Sequence, residues 1–206
     1  MKTILQDSPQ AIGQTVAELR SGHVVAVPTE TVYGLVACWK STAARQEIYR
    51  LKHRPADKRL QMLAADIDTA VEAGLKTNTM LRKIADAFWP GPLTVIVEAD
   101  DGDTIGLRIP NHPFVLQLLK ELKEPLAATS ANLSGTPAAV TPEDAVANLA
   151  GHPDLLINGG RVTVTDGASS TVISIVGNNL KILRQGPISL DDIQAVLSSQ
   201  APCFLS

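Results

Sequence analysis

The side chains able to do chemistry in this 206-residue chain are crowded into a few short stretches. Between Arg45 and Arg59, six cations (Arg45, Arg50, Lys52, Arg54, Lys58 and Arg59) face only Glu47 and Asp57. Within them, Lys52-His53-Arg54-Pro55 falls where proline ends a helical pattern and the chain turns into an apolar run. Cations so placed can hold phosphates, and they equally suit a helix C-terminus, where the macrodipole favours positive charge. Further along, Thr129-Ser130-Ala131-Asn132-Leu133-Ser134-Gly135 follows the apolar Leu126-Ala127-Ala128. Small hydroxyls and an amide at a strand end can aim N–H groups and side-chain donors at one anion, or can simply make a Ser/Asn turn.

Three other stretches carry the same double reading. Pro28-Thr29-Glu30-Thr31-Val32-Tyr33-Gly34 mixes polar handles with a glycine after a strand, which suits a small ligand or a plain turn. In Trp89-Pro90-Gly91-Pro92-Leu93-Thr94 two prolines and a glycine fix a rigid entry to a strand. Arg184, before Gln185-Gly186-Pro187, stands at a strand end as a phosphate clamp or a surface ion pair. The chain has neither Gly-x-x-x-x-Gly-Lys-Ser/Thr nor Gly-x-Gly-x-x-Gly, so the common phosphate-loop and dinucleotide fingerprints are excluded.

Short β-branched runs alternate with helical patterns around these stretches, which predicts a mixed α/β (α+β) domain. Strands are expected at His23–Val27, Leu60–Ala65, Leu93–Glu98, Ile105–Ile109, Leu126–Thr129, Leu155–Ile157, Thr171–Val176 and Leu180–Leu183. The last two flank Gly177-Asn178-Asn179, residues tolerant of positive φ, and so read as a hairpin with an antiparallel component. Helices are expected over Ala11–Leu19 after Ser8-Pro9, Thr42–Leu51, Thr79–Phe88 and Pro113–Leu122. Two more follow acceptor side chains: Ala145–Leu149 after Thr141-Pro142, and Leu190–Leu197 after Ser189. A single domain is expected over 1–206, with its core at about 8–199 and a tail at 200–206 that is loose or docked by Phe204-Leu205.

With 45% hydrophobic residues the chain can bury one sizeable core, built from aliphatic side chains because aromatics make up only 3%. That scarcity argues against a base-stacking surface. A formal charge of −3 argues against a molecule that binds nucleic acid by its overall charge, so any anion site must be local. Cys38 and Cys203 are too few for a disulfide framework or a zinc motif, which fits a reducing compartment. No signal-like leader and no apolar run near the ~20 residues that span a bilayer is present, so a cytoplasmic protein without a membrane anchor is expected.

The order of the segments is more specific than any one of them. Pro28 to Leu35, Lys52-x-Arg54-Pro55, Trp89 to Thr94, Arg108-Ile109-Pro110, Ser130 to Gly135, Ser170 to Ile173 and Leu183-Arg184-x-Gly186 together resemble the Sua5/YciO/YrdC family over about Ser21 to Ser189. The resemblance implies a YrdC-like fold, a twisted mixed and antiparallel sheet with flanking helices and a concave basic surface. It also implies a threonylcarbamoyl-AMP synthase, which combines L-threonine, bicarbonate and ATP into threonylcarbamoyl-AMP and pyrophosphate for the modification of adenosine 37 in tRNA. Lys52, Arg54, Ser130 and Asn132 would then be catalytic. Lys52, Arg54, Lys58, Ser130, Asn132, Ser134 and Arg184 would bind ATP, and Thr29, Thr31, Tyr33, Thr129, Arg108 and Ser170 would bind threonine. Mg²⁺ would accompany the phosphates without a protein metal site. Proteins that transfer the threonylcarbamoyl group would be partners, and tRNA would bind weakly.

This chain departs from the family pattern at four positions. Arg59 stands where the family often has proline, Leu63 where some members carry a threonine-contacting histidine, Ser174 where an aspartate is usual, and Gln185 where a proline is usual. Two other readings are a double-stranded RNA or tRNA binding module and a YciO-type paralogue without the synthase activity. The presence of Lys52, Arg54, Ser130 and Asn132 favours the synthase.

Overall fold

The computed structural model describes residues 1–147, 149–163 and 169–198. The elements run β1 (Lys2–Leu5), α1 (Ala11–Arg20), β2 (Val25–Val27), β3 (Gly34–Cys38), α2 (Thr42–Lys52), β4 (Gln61–Leu63), α3 (Ile67–Glu72), α4 (Thr79–Phe88) and β5 (Leu93–Glu98). They continue with β6 (Thr104–Arg108), α5 (Pro113–Leu122), β7 (Leu126–Ser130), α6 (Asp144–Ala147), β8 (Leu155–Asn158), β9 (Thr171–Ser174), β10 (Lys181–Arg184) and α7 (Leu190–Ser198). Every expected strand and helix is present, and β1, β3 and α3 are additional. The tail at 200–206 lies outside the described residues.

The ten strands form one sheet in the order β1-β8-β2-β3-β7-β4-β6-β5-β9-β10. Its pairing is mixed: β8 runs parallel to β1 and β2, β4 to β6, and β5 to β9, while the other neighbours are antiparallel. The expected hairpin joins β9 to β10, with Gly177 and Asn178 both at positive φ.

Local chemistry explains where helices begin. The side chains of Ser41, Asp66 and Asn78 accept from the backbone N–H three residues on, at 3.3, 2.8 and 2.8 Å. Ser189 and Asp192 exchange bonds in a capping box, and Pro113 opens α5. The expected Ser8 cap is absent, because α1 starts behind Gln10 with no side-chain cap.

Strand alternation sends residues to two packed layers. Val25 and Val27 join Leu19 and Leu118 under α1 and α5, whereas Ala26 packs with Ile48 and Leu51 of α2. At the other end, Met62, Val95, Leu107 and Ile173 are buried with Leu81, Ile84 and Ile193 of α4 and α7. The residues between them, Gln61, Thr94, Gly106 and Val172, face the opposite way and line a cavity.

Candidate anion and small-molecule site

The end of α2 builds one corner of this cavity. His53 takes a left-handed conformation at the C-cap (φ 46°), and Pro55 prevents the helix from resuming. Lys52, in the last turn, is only 1% exposed. Its Nζ donates to the carbonyls of Ser130 and Asn132, and the Ser134 N–H donates back to the Lys52 carbonyl at 3.1 Å. Two stretches far apart in sequence are therefore one hydrogen-bonded unit. Burial first, and the Arg54 charge second, push the Lys52 ammonium down to about 8.

Arg54 ties down the loop that follows. Its Nε and Nη2 donate to the carbonyls of Lys58 and Arg59, each at 2.8 Å. Desolvation is the main force depressing its guanidinium pKa. Asn132 plays a similar part in its own loop, donating through Nδ2 to the carbonyls of Leu133 and Thr136 at 2.8 Å. Its Oδ1 is buried without a partner among the described residues.

The cavity has a volume of about 310 Å³ and lies over the face of the sheet, lined by residues of β4, β5, β6, β7 and β9. Arg54, Arg59, Arg108 and Arg184 all line it, and among the described residues no acidic side chain is in its walls. Arg184 reaches over Ser170, donating to its carbonyl at 3.1 and 2.7 Å and to its Oγ at 3.2 Å. Desolvation, and after it the Arg108 charge, lowers the Arg184 pKa. Like positive charges converging on one space make a site for an anion.

A smaller pocket of about 30 Å³ opens beside it and shares Thr31, Gln61, Arg108, Ala128, Thr129 and Ser130 with it. Its walls combine the hydroxyls of Thr29 and Thr31 with apolar Val36 and Leu63. Thr29 Oγ1 lies 3.0 Å from Thr31 Oγ1 and donates to the Val32 carbonyl at 2.7 Å. Arg108 is 4% exposed, reaches Thr31 Oγ1 with both terminal nitrogens at 3.1 Å, and pairs with Glu30 Oε1 at 2.7 Å. That carboxylate oxygen also accepts the Asn111 N–H at 2.8 Å, so Glu30 fixes the arginine to the start of α5.

Most of the residues singled out in the sequence meet here. Arg54, Thr31, Arg108, Thr129, Ser130, Ser170 and Arg184 line the larger cavity, and Thr29 lines the smaller pocket. Lys52, Asn132 and Ser134 stand behind the wall and hold the 130–135 turn. Tyr33 points elsewhere: its hydroxyl donates to the Gly160 carbonyl at 2.7 Å and accepts the Gly159 N–H at 3.1 Å. Lys58 is exposed and lines neither space. Gln61 and Thr104 line the cavity and were not singled out, and Thr94 lines it from a stretch read as a rigid strand entry. The signal for Gln61 and Thr94 was a polar residue inside an apolar strand run, and Thr94 bonds Gln61 Oε1 and Ser170 Oγ, each at 3.0 Å.

Comparison with known proteins gives a consistent result. The Sua5/YciO/YrdC family model, described as "Telomere recombination", matches residues 17–186. A Bacillus subtilis protein named threonylcarbamoyl-AMP synthase is 38% identical over 205 residues, covering 93% of this chain and 57% of its own. The chain thus spans little more than half the length of that curated relative. The crystal structure of Pyrococcus abyssi Sua5 complexed with L-threonine superposes with a TM-score of 0.85 at 30% identity, over 96% of this chain and 60% of the other. Escherichia coli YciO superposes at 0.79 with 25% identity, over 93% and 98%.

Proposed function

The chain belongs to the Sua5/YciO/YrdC family, and from that premise we propose that, as a single domain, it makes threonylcarbamoyl-AMP from L-threonine, bicarbonate and ATP. The observation that carries this reading is the pairing of two spaces: a cavity walled by four arginines and, opening from it, a small hydroxyl-lined pocket. The first suits a polyphosphate, and the hydroxyls of the second can hold one end of an amino acid that extends into the larger space.

The threonine amine takes up the carbon of bicarbonate with loss of water, giving a carbamate. A carbamate oxygen then bonds to the α-phosphorus of ATP as the bond to pyrophosphate breaks. Two anions must be brought together, so fixed cations and donors matter more than an acid or base. In this reading Arg54 and Arg184 offset phosphate charge, with Lys58 reaching in from the rim. Ser130, Asn132 and Ser134 present the turn that holds the phosphates, with Lys52 setting its shape. Arg108 takes the amino-acid carboxylate, and Thr29, Thr31, Thr129 and Ser170 surround the rest. Tyr33 acts at a distance, through Gly159 and Gly160.

Among the described residues no group of three His, Cys, Asp or Glu side chains could hold a metal ion, so Mg²⁺ would come with the nucleotide as part of the substrate. The product is a reactive mixed anhydride, which calls for a transferring protein in the cytoplasm and for weak tRNA contact. No described helix is long and apolar enough to cross a membrane.

The test is pyrophosphate release with ATP and bicarbonate across the twenty amino acids. Release that depends on threonine is expected. Release with no amino acid, or none with any, would sink the synthase reading, and the latter together with salt-tolerant tRNA binding would favour an RNA module.

A further inference from the structure

Arg59 belongs to none of the motifs that carry the family likeness, yet it stands at the junction of two cavities. The 310 Å³ site lies on one side of it. On the other is a space of about 510 Å³ walled by Trp39, Arg45, Tyr49, Gly74, Asp101 and Asp103. Arg59, Leu60 and Thr104 line both. The Arg59 backbone is fixed, since its carbonyl accepts from Arg54 Nη2 at 2.8 Å. Its side chain is half exposed.

The Arg59 guanidinium is paired with the Asp103 carboxylate and lies 3.2 Å from the Thr104 carbonyl. Asp103 does not depend on it: Oδ1 also accepts the Thr104 N–H at 2.8 Å, and the turn is closed by the Asp103 carbonyl accepting from Ala99 N–H at 2.8 Å. The two side chains are 53% and 50% exposed. Water screens such a pair, which holds weakly, and a polyphosphate offers several charges against the single one of Asp103.

We propose that Arg59 is a further phosphate-binding arm, which leaves Asp103 when nucleotide enters and joins Arg54 and Arg184 on the polyphosphate. Asp103 is the resting counterion that keeps the arm at the rim. The proposal rests on the nucleotide reading above and adds to it a residue outside the family motifs. It also separates the two members of the pair by sign. Removing Arg59 takes away an attraction for the ligand, whereas removing the Asp103 charge takes away a competitor. A brace between the α2–β4 loop and the β5–β6 turn would lose stability with either variant and leave affinity alone.

The experiment is calorimetric binding of ATP and of inorganic pyrophosphate to the full chain and to Arg59→Ala and Asp103→Asn, with melting curves for each. Asn at 103 keeps an oxygen for the Thr104 N–H, and Arg59→Gln replaces Arg59→Ala if alanine unfolds the protein. The arginine variant should weaken both ligands by about tenfold, the scale of one charge-assisted hydrogen bond. The aspartate variant should tighten them by about threefold at low salt, with both effects shrinking as salt rises. Wild-type binding with no change in either variant, or with changes of the same sign, overturns the role of Arg59 and leaves the nucleotide site standing. No binding of either ligand by the wild type overturns both.

Discussion

At the scale of single residues, charge was legible in the sequence and its partners were not. Lys52 could be read as a phosphate contact or a helix-end cation, and it proves to be a buried donor to two carbonyls. Such a choice depends on which loop lies opposite the helix, which no local pattern records. The burial has a measurable sign. In the unfolded chain a lysine titrates near about 10.4, and in the fold Lys52 titrates at about 8. Below pH 8 both states hold the proton and the fold carries the full cost of the buried charge. Between about 8 and 10.4 only the unfolded chain holds it, so stability climbs with pH by up to about 1.4 kcal/mol per unit. Denaturant titrations from pH 7 to 10 should show this rise as a difference between wild type and Lys52→Met, and a constant difference would mean that the ammonium is not destabilised by burial. Leu63 offers a second test, because it is 2% exposed and walls the small pocket. Leu63→Ala should cost about 2–4 kcal/mol of stability. It should also raise turnover of amino acids larger than threonine, relative to threonine, by about tenfold. An unchanged preference in pyrophosphate release would remove Leu63 from the selective wall.

Among the elements, those with clear periodicity were legible, and the three unforeseen ones lack it. β1 is an edge strand with three of its four residues exposed, held by parallel pairing to β8 rather than by a buried face. β3 is buried along its whole length, so it shows no alternation, and it begins on the glycine that ends a polar loop. α3 has six residues, too few for a periodic pattern to stand out, and is started by the Asp66 cap. The glycine after Arg184 carries more structural weight than its motif suggested. A Cβ on Gly186 would lie 2.4 Å from Thr171 N and 2.6 Å from the Ser169 carbonyl, both backbone atoms that cannot step aside. Gly186→Ala should therefore push the end of β10 off the Ser169–Thr171 backbone, costing about 1–3 kcal/mol as overpacking does. Because Arg184 holds its place by bonding Ser170, ATP affinity should fall with it. Melting and nucleotide titration of the variant test both parts, and a stable protein that binds ATP as wild type does would show that the strand end can shift without disturbing the arginine.

For the whole molecule, the question is how a chain of net charge −3 presents a site for anions. The overall charge weighs against general nucleic-acid binding, and the local cluster of cations pointed to where an anion could go. What the sequence could not supply was the convergence of Arg54, Arg108 and Arg184 from the α2–β4 loop, β6 and β10, which only the strand order of the sheet brings together. That geometry predicts two different responses to salt. ATP held within the cavity meets partly desolvated cations, whose interactions are screened less than those of exposed groups. A tRNA laid across the outside would touch exposed cations such as Lys58, on a chain whose net charge is −3. Each phosphate it engages would release counterions, so log affinity should fall with log salt at a slope of roughly −0.7 to −0.9 per contact. Between low and physiological salt, tRNA binding should be weak and decline steeply, while ATP affinity should change by only a fewfold. Tight tRNA binding that survives physiological salt, with no measurable ATP affinity, would reverse the assignment and make the arginine cluster an RNA-binding surface.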